Sequence, residues 1–72
     1  MTRISYFLAA DQHVKLEVYD SRGRLVQTLV DEWQAGRSHH VDMSARDLPG
    51  GAYFYRLTTD SVVEQRKMLL VR

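Results

Sequence analysis

Residues 47–57 read DLPGGAYFYRL. The only proline of the chain, Pro49, and two of its four glycines, Gly50 and Gly51, stand together directly before a run in which aromatic residues alternate with smaller or charged ones. Pro49 fixes its own φ and has no N–H for a ladder, while Gly50 and Gly51 permit backbone angles closed to other residues, so LPGG reads as a corner between strands. Beyond the corner, Tyr53, Tyr55 and Leu57 alternate with Ala52, Phe54 and Arg56. A period of two sends successive side chains to opposite faces, which predicts a strand burying its tyrosine face.

The same period governs the rest of the chain, and no segment of useful length repeats apolar residues at helical spacing. In ISYFL, Ile4, Tyr6 and Leu8 share a face; in HVKLEVYD, Val14, Leu16 and Val18 do so, with Lys15, Glu17 and Tyr19 opposite. DSRGR, in which Gly23 supplies the positive φ of a tight turn, links that strand to LVQTLV and predicts a hairpin. There Val26, Thr28 and Val30 are expected on one face and Leu25 and Leu29 on the other. DEWQAGR is expected to be a polar loop closed by Gly36, after which SHHVDM resumes alternation with His39, Val41 and Met43 on one side.

TTDS turns the chain into VVEQRKMLLVR, where Met68 and Leu70 alternate with Lys67, Leu69 and Val71. Both faces become apolar toward the end, a pattern expected of a strand covered on two sides or lying against another chain. About six or seven short strands joined by turns predict an all-β antiparallel sandwich rather than an αβ arrangement. The spacing of Leu48, Pro49, Gly51 and Tyr53 resembles the corner of immunoglobulin-like and fibronectin-III-like sandwiches, in which a tyrosine hydroxyl bonds back to nearby backbone. The expected acceptor is the backbone around Asp47.

The chain has 72 residues, a length at which folding buries only roughly 60% of the surface the unfolded chain exposes. Stability should therefore be modest. It contains no cysteine, so packing and strand pairing must hold it without disulfides or a Cys/His zinc site. Ten Lys and Arg against nine Asp and Glu give a net charge of +1, and the signs are interspersed, which argues against a nucleic-acid footprint. No apolar stretch reaches the length of a membrane helix, and MTRISYFLAADQ lacks the apolar run and cleavage site of a signal peptide. The expectation is a cytosolic chain or a fragment of something larger.

Residues that could carry chemistry are few. His39 and His40 are neighbours, so on a strand they face opposite ways and cannot chelate one metal, and His13 is expected in a different turn. The serines have no nucleophile-elbow glycines around them, and the Asp31–Glu32 pair lacks the cleft that paired carboxylates need. No catalytic residue, metal or cofactor is expected. Trp33, alone in a polar loop, is either a lid on the core or an exposed binding surface, such as a platform for carbohydrate; the lid is the favoured reading. Arg66, Lys67 and Arg72 either meet an acidic partner or keep an apolar edge strand from aggregating, and charge alone favours the second.

In this order TRISYFL, VKLEVYDSRGRLVQTLV, AGRSHHVDM, LPGGAYFYRL and RKMLLVR resemble the C-terminal sorting domains that direct cargo through the type IX secretion system of Bacteroidetes-type bacteria. The immunoglobulin-like module of flagellar hook-capping proteins looks like a relative. The family's recurring landmarks, a glycine-x-tyrosine element and a late lysine followed by hydrophobic residues, fall here on Gly51, Tyr53 and Lys67. The resemblance implies that Lys67, Leu69, Leu70, Val71 and Arg72 form a recognition strand, docking by strand addition or across a surface. It further implies a noncatalytic label on an N-terminal cargo domain. That label would pass through the periplasm, meet the outer-membrane secretion machinery and a sortase-like peptidase, and leave its cargo at the cell surface or released. The alternative is a structural accessory module of a surface or hook-cap-like protein.

Two departures from the family pattern stand out. An asparagine- and proline-rich segment that usually precedes the first strand is not seen, so Met1 is expected to be an artificial or trimmed start. Met43 stands where many relatives have tryptophan, an exchange expected either to move that core contact onto Trp33 or to loosen the packing. An apolar terminal strand is also expected to permit edge-to-edge pairing of two copies.

Overall fold

The computed structural model describes residues 2–44 and 46–71. Six strands follow one another: β1 (Thr2–Phe7), β2 (Gln12–Asp20), β3 (Leu25–Gln34), β4 (Ser38–Met43), β5 (Gly51–Thr58) and β6 (Val63–Leu70). β1 and β4 form a two-stranded sheet, and the others a four-stranded sheet in the order β3-β2-β5-β6. Every pairing is antiparallel. The fold is the all-β sandwich that the period-two pattern predicts.

β2 is central in the larger sheet because its inward face is wholly apolar. Val14, Leu16 and Val18 are each fully buried. The first two join Ile4, Leu8, Val30 and Leu57 in one core cluster, while Val18 joins Met43 and Tyr53 in a second. Each cluster draws residues from both sheets, so burial of these side chains, about 1.5–3 kcal/mol apiece, holds the layers together.

The turns follow from local chemistry. At the β2–β3 turn, the Asp20 carboxylate accepts hydrogen bonds from the backbone N–H groups of Arg22 (2.9 Å) and Arg24 (3.0 Å), and Gly23 adopts a φ of +85°. Between β3 and β4, Gly36 donates its N–H to Asp11 Oδ1 at 2.7 Å. A Cβ on Gly36 would lie 2.7 Å from the Ala10 Cα, so only glycine permits the two loops to meet this closely. Thr59 closes the β5–β6 turn, its N–H donating to the Val62 carbonyl at 2.8 Å.

Several expectations are corrected by the structure. The face assignment along β3 fails because a bulge intervenes: Leu16 opposes Val30 but Glu17 opposes Thr28. Leu29 is passed over, so Leu29 and Val30 both turn toward the core while Thr28 is exposed. β3 also continues to Gln34, so the DEW stretch is strand rather than loop, and Trp33 opposes His13, which lies in β2 and not in a turn. That register places Trp33 on the outward face, 65% exposed. It is not a lid, and Met43, fully buried in the second cluster, fills its own place in the core. Finally, β6 is not covered on both faces: Met68 and Leu70 pack on the second cluster, whereas Leu69 is 68% exposed.

β4 follows its expected pattern, with His39, Val41 and Met43 turned inward. The His39 ring stacks on Tyr6 at 5.5 Å between centroids, and its Nε2–H donates to the Ala35 carbonyl at 2.7 Å. The Tyr6 hydroxyl donates to Gln34 Oε1, tying β1 to the end of β3 across the sandwich. Burial raises the Tyr6 phenol above its ordinary pKa.

Candidate docking strand

The corner and the last strand form one unit. Gly51 has a φ of +143°, a conformation that side chains with a Cβ rarely adopt. It opens β5 directly opposite Leu70, the last residue of β6. Two residues on, the Tyr53 ring is buried against Val18 and Met43, and its hydroxyl donates to the Pro49 carbonyl at 2.6 Å. The corner is therefore the tyrosine type foreseen from the spacing, but the acceptor is Pro49, not the backbone around Asp47. Leu48 packs on the same cluster as the Tyr53 ring.

β6 lies at the edge of the four-stranded sheet and, among the described residues, pairs only with β5. Directly opposed residues of an antiparallel pair share a face, so register sorts its side chains. Met68 opposes buried Tyr53 and faces inward, and Leu70 does the same from the end of the strand. Lys67 opposes Phe54, and Leu69 opposes Ala52, on the outward face. Val71, just past the strand, is 93% exposed. Arg72 lies outside the described residues.

The outward face carries residues that the sequence alone did not single out. Across the sheet Leu25, Tyr19, Phe54 and Lys67 stand in one row. Leu25 is 52% exposed, and Tyr19 and Phe54 are half-buried. Beside this row Arg56 places its guanidinium 4.6 Å from the Tyr19 ring centroid and donates to Gln65 Oε1 at 3.1 and 3.3 Å. Cation–π stacking and two hydrogen bonds thus hold Arg56 flat on the sheet. The signal for this row was present in the sequence, since Tyr19 and Phe54 fall on the face opposite the buried positions. Only the strand order, which puts β2 beside β5, brings them next to Lys67.

Electrostatically the site is a cationic edge against an apolar face. Lys67 and Arg66 are exposed and enter none of the ion pairs among the described residues. No group of three His, Cys, Asp or Glu side chains among the described residues is placed to hold a metal. A cleft of about 400 Å³ between β1 and the inward face of β5 and β6 is floored by Leu16, Tyr55 and Leu57 and walled by Glu64 and Arg66. Ser5 and Tyr6 add hydroxyl groups to its lining.

The family model described as the secretion system C-terminal sorting domain matches residues 2–71. Comparison with curated proteins and with solved structures finds no match.

Proposed function

Because the chain belongs to the family of secretion system C-terminal sorting domains, we propose that it marks an N-terminal cargo for export and is read at β6. The domain is a sorting signal for type IX secretion, in a family whose members are in general noncatalytic. Such a signal implies contact with the secretion machinery and delivery to the cell surface or beyond. In the finer reading, the cargo crosses the inner membrane with the domain attached. The sandwich folds in the periplasm, the outer-membrane machinery binds it, and a sortase-like peptidase then removes it.

One observation carries the recognition step: β6 is an edge strand whose exposed Lys67 and Leu69 point outward, with exposed Val71 just beyond it, while Met68 and Leu70 anchor it to the core. Strand addition to such an edge takes affinity from backbone hydrogen bonds and selectivity from alternate side chains. Lys67, Leu69 and Val71, with Arg72 beyond the described residues, are assigned the contact. Leu70, Gly51 and Tyr53 are assigned to presentation, since they fix the strand against the corner.

The test replaces Lys67 with Glu and Leu69 with Ser in a secreted reporter carrying the domain. These outward changes should leave the fold intact, seen as an unchanged denaturation midpoint, and lower export. Removing residues 67–72 should abolish export. Export unaffected by both would sink the assignment of β6 and favour the structural accessory module.

A further inference from the structure

β6 presents an unpaired backbone edge, and an antiparallel edge can be completed by a second copy of itself about a two-fold axis normal to the sheet. Such an axis keeps each residue on its own face, so only registers centred on a residue bring like-facing side chains opposite one another. Among registers centred on the charged stretch Glu64-Gln65-Arg66-Lys67, charge decides. Centring on Glu64, Arg66 or Lys67 opposes a charge to its own copy. Centring on Gln65 opposes Glu64 to Arg66 of the second copy, and Arg66 to Glu64, giving two opposite-charge pairs at once.

We propose that the domain self-associates through β6 in this register. Glu64 and Arg66 are both exposed on the inward side, where they line the open cleft beside β1, and neither enters an ion pair within the chain among the described residues. Val62, 42% exposed, is carried opposite Met68 of the second copy on the same side. The other edge of the large sheet is unsuited to the same role. β3 carries Asp31 and Glu32 side by side and is broken by register shifts along its pairing with β2. Inward charges of a single sign would block edge pairing; opposite signs two residues apart turn the same device into a register lock. A dimer of this kind covers the edge assigned above to docking, so self-association and recognition compete. The geometry of self-pairing does not depend on the sorting reading.

The 72-residue chain, its Glu64→Arg and Arg66→Glu variants, and an equimolar mixture of the two variants are compared by sedimentation equilibrium at low salt. The wild type should form a weak dimer that added salt dissociates. Each single variant, now opposing like charges, should dissociate about tenfold more readily, and the mixture should recover wild-type association because arginines then meet glutamates. A monomeric wild type at the highest soluble concentration, single variants that associate as well as the wild type, or a mixture that fails to recover would each overturn the proposal. Circular dichroism of the variants keeps loss of fold from being read as loss of pairing. Because no secretion machinery is present, failure here is distinct from failure of the sorting reading.

Discussion

Tyr53 performs two separable tasks, filling the second core cluster with its ring and closing the corner with its hydroxyl. Tyr53→Phe should cost about 0.5–1.5 kcal/mol, the net worth of one hydrogen bond, and Tyr53→Ala about 3–5 kcal/mol, by analogy with Phe→Ala in cores. Urea denaturation of the two variants checks the split; equal losses would mean that the hydroxyl, and not the ring, carries the site. The corner was readable in the sequence because proline, glycine and tyrosine each have a narrow physical use. Its acceptor was not, since the path from Asp47 to Pro49 depends on how Leu48 packs. Trp33 was misread for a related reason: its acidic neighbours look like a loop, and only pairing with His13 makes them strand.

Asp20 supplies a pH-dependent contact at the same scale. Hydrogen bonding from the Arg24 backbone N–H, with smaller help from Arg22 and the Arg24 guanidinium, holds its carboxyl below the ordinary carboxylate value. A carboxylate depressed in the folded state contributes stability above its unfolded value, near pH 4, and loses that contribution as pH falls through the lowered folded value. NMR titration of Asp20 should therefore give a pKa below that of an unfolded aspartate, with amide-exchange protection of Arg22 and Arg24 declining only under more acidic conditions. A titration at or above the ordinary value would remove this account of the turn.

At the level of the strand, alternation predicts distinct outcomes for neighbours on β6. Leu70→Ala should lower stability by roughly 1–2 kcal/mol, less than the cost at a fully buried leucine, whereas Leu69→Ala should leave the denaturation midpoint unchanged. Reversal of that order would mean that β6 packs with its other face inward. The inward face of β2 and the inward tyrosines of β5 were legible from period two alone. β3 was not, because nothing in LVQTLV announces which residue a bulge will pass over; the register with β2 decides that Leu29 is skipped.

For the whole molecule, the unequal sheets matter most. Two strands packed against four leave the inward side of β6 partly uncovered, where Glu64 and Arg66 line an open cleft. Strand count was legible in the sequence, but the division into two and four was not, since sheet membership is a long-range choice that local patterns do not encode. That division turns the last strand into an edge and gives the exposed Lys67–Val71 end its proposed role. The candidate site was therefore half readable: the family resemblance pointed to the last strand, which the strand order makes an edge, while its outward neighbours Tyr19, Phe54 and Leu25 emerged only from strand order.

The most direct measurement is export of a fluorescent reporter with an inner-membrane signal peptide at its N-terminus and residues 1–72 at its C-terminus, compared between a type IX-competent bacterium and a strain lacking that machinery. Appearance of the reporter outside the first strain, with retention in the periplasm of the second, is the predicted result. Periplasmic retention in both strains, with the domain shown to be folded, would contradict it.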